Sequence, residues 1–241
     1  ELEAARERLI EAVAETDDAL ADRYLEGEEL TSEEIAAAVR AGILNGNLVP
    51  ILAASATDNV GVEECMELVR EFLPSPKDGV KPEMSSGADG FEADANGPLA
   101  AFVFKTTADP FVGKLSVFRV YRGVFKSNSE VWNSGRENAE RIGQLYLPRG
   151  KSQENVTEVS AGDIGAIGKL SETLTGDTLC LREQPVTFEP IDFPTGFYRV
   201  AVSPATKADL DKMSTSLARI VEEDPTLRYS RDPDTAESLI S

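Results

Sequence analysis

The chain has 241 residues, 43 acidic against 24 basic side chains, a net charge of −19 and no histidine. With 41% hydrophobic and 28% charged residues it can bury a core, and its length suits one large domain or two to three small ones. The missing histidine excludes Ser-His, Cys-His and His-ligated metal mechanisms, and no apolar run approaches the ~20 residues needed to cross a bilayer.

Residues 1–25 read as one amphipathic helix, with Leu2, Leu9, Ile10, Val13, Leu20, Tyr24 and Leu25 at helical spacing. Thr31-Ser32-Glu33-Glu34 is a capping-box pattern that opens a second helix, carried through Ile35 and Val39 and stopped near Gly42 or Gly46. Residues 48–52 are an apolar run of strand length. A turn over 54–59 leads into a third helix bearing Val62, Met66, Val69 and Leu73, stopped by Pro74. This order is that of the tail of an α/β domain, with too few strands to be a whole one.

Residues 74–97, rich in Pro, Gly, Ser and Asp, read as a linker. The texture then changes to short β-like runs at 101–105, 115–121, 130–132, 141–146, 165–170 and 178–180, separated by turn signals. Such spacing argues for a small closed barrel or a sandwich. After a Pro-punctuated connector, 197–203 reads as a strand. Thr206 caps a helix with Leu210, Met213, Leu217, Ile220 and Val221 as its buried stripe, ended by Asp224-Pro225. Two strands at 227–230 and 237–240 complete β-α-β-β, the opening of a split βαβ fold whose closing helix and strand are missing.

Charge is uneven along this order. Residues 1–40 carry 13 acidic and 4 basic side chains, whereas 98–185 carry 10 and 11. The middle block is the part that can approach a polyanion without repulsion, although chance variation between domains explains the charge alone equally well. The cysteines, Cys65 and Cys180, lie 115 positions apart, which suits reduced thiols in a cytosolic protein better than a metal site or a disulfide framework. The chain does not begin with Met and has no basic–apolar leader, so it reads as an excised or processed piece.

Several motifs fail on spacing. Arg149-Gly150-Lys151-Ser152 lacks the earlier glycine of a phosphate loop, since Leu145 stands there, and Pro148 removes a backbone donor. Glu92 to Gly97 resembles half a calcium loop, but the bidentate Glu needed at position 12 falls on Val103. Gly162, Gly165 and Gly168 have the wrong spacing for a dinucleotide fingerprint. The pairs Asp17/Asp18, Glu28/Glu29 and Glu33/Glu34 suit solvated helix faces. No nucleophile–base pair, metal cluster or complete phosphate loop emerges, and the residues alone support a multi-domain acidic binding protein.

A run of separate words in one order carries more. Tyr24-Leu25-Glu26-Gly27-Glu28-Glu29-Leu30-Thr31, Phe72-Leu73-Pro74-Ser75-Pro76 and Asp109-Pro110-Phe111-Val112-Gly113-Lys114-Leu115 come first. They are followed by Arg119-Val120-Tyr121-Arg122-Gly123, Ala161-Gly162-Asp163-Ile164-Gly165-Ala166, Glu172-Thr173-Leu174-Thr175-Gly176-Asp177-Thr178-Leu179 and Lys207-Ala208-Asp209. From Glu1 to Ser241 the chain resembles bacterial elongation factor G, the translocation GTPase of the ribosome. Gly150-Lys151-Ser152-Gln153 looks like the loop of its diverged paralogues.

The resemblance implies a multi-domain fold. Residues 1–73 would be the C-terminal part of the G domain with part of its inserted subdomain, and 74–97 a linker. Residues 98–185 would be an all-β translation-factor-type barrel, 186–196 a connector, and 197–241 the first half of an α+β ferredoxin-like third domain. Ser55 and Ala56 fall on the last guanine-nucleotide motif, where small residues let backbone N–H groups reach the base; in isolation the same dipeptide is an ordinary helix-capping turn. Ala54 stands where the family usually has Gly. The phosphate loop, both switches and the Asn-Lys-x-Asp motif lie upstream in the family and the tip domains downstream, so neither set is present here.

GTP or GDP and Mg²⁺ would therefore belong to the parent protein, with no catalytic residue, no metal ligand and no bound cofactor in this chain. The implied partners are the ribosome's small-subunit rRNA, through the barrel with Lys114, Arg119, Arg122, Lys126 and Lys151, and the stalk protein, through the acidic helices. The implied location is the cytoplasm, with no membrane and no DNA. Rivals are a related GTPase of tetracycline protection, recycling or release control, and a non-enzymatic barrel-containing binding module.

Overall fold

The computed structural model describes residues 2–79, 81–86, 92–109 and 113–241, which fall into two units, 1–79 and 80–241. Among the described residues no helix is long and apolar enough to cross a membrane.

Among the described residues the first unit holds four helices: α1 (Leu2–Ala14), α2 (Asp18–Leu25), α3 (Ser32–Leu44) and α4 (Val62–Phe72). The single helix expected over 1–25 is two. The Thr16 hydroxyl donates to Val13 O at 2.7 Å, and the Asp17 carboxylate accepts from the N–H groups of Ala19 and Leu20, so the chain stops and restarts there. The capping box at Thr31 forms as its spacing predicts: the Glu34 N–H donates to Thr31 Oγ1, and the Thr31 N–H donates back to the Glu34 carboxylate at 2.9 Å. Arg23 clamps that carboxylate at 2.6 Å and Glu28 at 2.8 Å, tying α2 to α3. The Arg23 hydrogen bond, helped by Thr31, holds the Glu34 carboxyl down to about 2.

The apolar run 48–52 is not a strand. No neighbouring segment pairs with it among the described residues, and a lone strand leaves its backbone groups without a ladder. Its Ile51 is 92% exposed.

The second unit is β-rich. Its strands are β1 (Met84–Ser86), β2 (Ala100–Asp109), β3 (Gly113–Arg122), β4 (Val124–Lys126), β5 (Glu130–Asn133), β6 (Asn138–Arg141), β7 (Leu145–Arg149), β8 (Ser152–Val156), β9 (Glu158–Ser160), β10 (Ile164–Gly168), β11 (Thr178–Cys180) and β12 (Thr187–Phe188). Eight of them form one antiparallel sheet in the order β6-β5-β11-β2-β3-β10-β7-β8. Inward residues from across the sheet (Ala101, Val103, Phe118, Val131, Leu145, Ile167 and Leu179) meet in a single cluster, joined by Phe125 and Val159 from the separate β4–β9 pair. The sheet thus wraps one core.

The residues expected to be linker supply β1, which pairs with β12 across the sheet's outer face. There Phe188 packs edge-on against Phe102 at 5.9 Å and against Tyr121 at 4.9 Å. The expected strand 141–146 is broken: Arg141 ends β6, Leu145 begins β7, and the buried Ile142 between them donates its N–H to Ser129 O at 2.9 Å. The failed phosphate loop is a hairpin turn, with Arg149 paired to Ser152 and Gly150 at φ 60°. Pro110, Phe111 and Val112 of the resemblance lie outside the described residues.

The last block has β13 (Val200–Val202), α5 (Leu210–Glu223), β14 (Tyr229–Arg231) and β15 (Ser238–Ile240). β15 lies between β13 and β14, antiparallel to both, so the strands flanking α5 are parallel with a third inserted between them. The expected strand 197–203 shortens to β13, with Phe197 99% exposed before it. Thr206 precedes a 3₁₀ turn, and its hydroxyl bonds the Asp209 carboxylate at 2.5 Å in place of a backbone donor. Of the expected stripe only Leu217 is buried. The outer end of β2–β3 receives α5: the Ala108 N–H donates to the Glu223 carboxylate, and Lys114 Nζ lies 4.0 Å from Glu222.

Inside the β-rich region the loop 171–177 is held by two carboxylates. Buried Glu140 accepts from the N–H groups of Glu172 at 2.8 Å and Thr173 at 2.9 Å, and from the Thr173 hydroxyl at 3.0 Å. Asp177 accepts from the Leu174 N–H at 2.8 Å and from Asn133 at 3.0 Å, and pairs with Arg136 at 2.6 Å. Replacing Glu140 by Ala orphans these donors and should cost about 2–4 kcal/mol, whereas Gln, which keeps one acceptor oxygen, should lose less. Urea unfolding followed by Trp132 fluorescence measures both; equal midpoints for Ala and wild type would contradict the clamp.

Candidate functional site

The expected guanine loop is a closed turn in the first unit. Ser55 and Val60 exchange both backbone hydrogen bonds, at 2.9 and 3.0 Å, so residues 56–59 are looped out. Inside it the Ser55 hydroxyl donates to the Asp58 carboxylate at 2.7 Å and receives the Asp58 N–H at 3.4 Å. Asn59 turns the chain at φ 54°, and Gly61 at φ 74° precedes α4. Gly61 is demanded twice over, since a Cβ there would stand 2.7 Å from Ala53 O.

The two expected base-binding residues separate at this point. Ser55 spends its N–H on Val60 and its hydroxyl on shaping the turn. That leaves the Ala56 N–H as the backbone donor of the pair. Beside the turn, Ala54, Ala56, Val62, Met66 and Val69 line an open, mainly apolar hollow of about 430 Å³. One flat heterocycle against small residues suits such a surface. Among the described residues the one Gly-Lys-Ser, Gly150–Ser152, lacks the glycine five residues earlier that a phosphate cradle needs. The exposed Cys65 also lines the hollow, and burial pushes the Cys180 thiol up.

The five cations expected to face RNA divide by burial. Lys126 and Lys151 are exposed. Lys114 is largely covered and lies against Glu222, and Arg119 lies 5.3 Å over the Tyr121 ring. Arg122 is half-buried, so close to Gly97 that a Cβ there would stand 2.1 Å from its Nε. Sequence reasoning passed over Arg141 and Lys169. Both line a second hollow at the β7–β10 edge, but they stand far apart in the chain and no motif joins them.

Gly61→Ala combines a left-handed φ with a backbone collision and should destabilise the first unit by about 1–3 kcal/mol. Hydrogen exchange over residues 53–73 should accelerate in the variant. Unchanged exchange there would show that the turn tolerates a side chain.

Residues 98–182 match the family model for elongation factor G domain 2, and residues 193–241 that for elongation factor G domain III. A crystal structure of a protein from Thermus thermophilus is similar at a TM-score of 0.75 and 33% identity, over 98% of this chain and 34% of that one. The chain thus spans about a third of the length of that relative. With the sheet, the β-α-β-β block and both matches in the family's order, the chain belongs to the elongation-factor-G type of translation factors.

Proposed function

We propose that the chain is a central part of an elongation-factor-G-like translational GTPase, whose parent uses GTP hydrolysis to move tRNA and mRNA on the ribosome. The observation that carries this reading is the pair of consecutive family matches over 98–182 and 193–241. In it, residues 98–185 act as the translation-factor barrel facing small-subunit rRNA in the cytoplasm, and the acidic helices of residues 1–45 meet the stalk protein. The β-α-β-β block is the first half of a ferredoxin-like domain that relays nucleotide state. Ala56 touches the guanine while Ser55 holds the turn. The exposed cations Lys126 and Lys151 support an RNA-facing β surface.

On this reading the chain alone neither hydrolyses GTP nor holds it usefully. Millimolar affinity already needs about −4.1 kcal/mol. A single backbone bond from Ala56 adds roughly 0.5–1.5 kcal/mol, and no described group neutralises charge on the γ-phosphate. Calorimetry with GTP and Mg²⁺ should show no saturable heat below millimolar nucleotide, while the chain co-sediments weakly and salt-dependently with small ribosomal subunits. A micromolar magnesium-dependent site would overturn the first expectation. Absence of co-sedimentation at low salt would overturn the ribosomal reading.

A further inference from the structure

The hollow at the β7–β10 edge brings two cations, Arg141 and Lys169, together with the aromatic ring of Tyr146. Leu145 and Ile167 pair across β7 and β10 and point into the core, so by strand alternation Tyr146, Ala166, Gln144 and Gly168 share the outer face. Gly168 carries no side chain, and beside it and the half-buried Tyr146 lies a cleft of about 560 Å³, within the range of small-ligand sites. Arg141, Lys169 and Asn128 complete its rim, and among the described residues no carboxylate lines it. Among the described residues neither Arg141 nor Lys169 enters an ion pair.

The backbone adds a second observation. Asn128 and Lys169 sit at φ 54° and 65°, in the left-handed region. Asn adopts that region readily, but Lys seldom does, and such residues gather at ligand sites. The Lys169 N–H donates to Lys114 O at 2.9 Å, which fixes the residue at the cleft mouth.

We infer that this cleft takes one unpaired nucleotide of an RNA strand, its base against Tyr146 and its backbone phosphates at Arg141 and Lys169. The inference rests on the ribosomal reading and names the part of the β surface that grips RNA. An aromatic ring beside two unpaired cations fits a stacked base with its phosphates. A carboxylate-bearing peptide would use the cations and leave the ring without a partner.

The test titrates the 241-residue chain with a fluorescent single-stranded uridine oligomer over a range of salt. Three further proteins are compared: Arg141→Gln/Lys169→Gln, Tyr146→Leu, and the charge-matched control Lys207→Gln/Lys212→Gln, two exposed lysines of the last block. The first should flatten the logarithmic salt slope by about 1.4, at roughly 0.7 per phosphate contact. Tyr146→Leu should weaken binding about tenfold with the slope unchanged. The control should change affinity less than the cleft variant, and uridine monophosphate should bind far more weakly than the oligomer.

Equal losses in the two charge variants, no effect of Tyr146→Leu, uridine monophosphate binding as tightly as the oligomer, or no oligomer binding at all would each overturn the cleft. Thermal melting of each variant separates lost binding from lost folding. Co-sedimentation of the wild-type chain with small subunits is scored separately. Subunit binding that survives in Arg141→Gln/Lys169→Gln overturns the cleft and leaves the ribosomal reading. Oligomer binding lost in that variant, without subunit binding by wild type, supports the cleft as an RNA site and overturns the ribosomal reading.

Discussion

A single long hairpin, β2 against β3, does three jobs in the β-rich unit because both of its faces and its outer end are in use. Its inner face puts Ala101, Val103, Phe118 and Val120 into the core. Its outer face gives Phe102 and Tyr121 to Phe188, so the β1–β12 strap lies on the sheet. At the outer end the Ala108 N–H holds the Glu223 carboxylate of α5, with Lys114 facing Glu222. Strands buried on both faces read as nearly continuous apolar runs, and 100–104 is one. The register slips between Val103 and Lys105, and at the slip Val103 exchanges backbone bonds with Asp177 and Gly176. A bulge of this kind bends and twists the strand, which lets the sheet wrap its core and ties the Glu140–Asp177 loop to the hairpin.

Much of this order was legible in the sequence, and the misses have physical causes. The capping box at Thr31 and the stop at Asp224 are local, set by side chains within a few residues of where they act, and these survived folding. The short strands β4, β6, β8 and β9 gave little periodic signal. Asn138–Arg141 buries Glu140, a charged residue that pattern reading assigns to solvent. Residues 48–52 failed in the other sense: an apolar run has strand propensity, but only a neighbour makes it a strand. The linker composition of 74–97 concealed Met84, whose partners at Phe188 lie about a hundred residues onward.

The site was legible in a different way. Ser55 and Ala56 gained meaning only through resemblance, and the fold then gave them unequal duties, since the closed turn takes the Ser55 N–H for itself. Among the cations, count and charge were readable but burial was not, so Lys114 and Arg119 looked available although α5 and Tyr121 engage them. Arg141 and Lys169 meet only because β7 and β10 are neighbours, a long-range pairing that sequence spacing does not encode.

If the hairpin organises the unit, the β-α-β-β block, with one buried apolar side chain on its helix, depends on it for order. Hydrogen exchange measured by mass spectrometry on the chain and on Glu222→Gln/Glu223→Ala tests this most directly. The account predicts that peptides from 200–240 lose protection in the variant while those from 100–109 and 113–122 keep theirs. Protection over 200–240 that is unchanged by the variant, or that matches the hairpin's own, would contradict it.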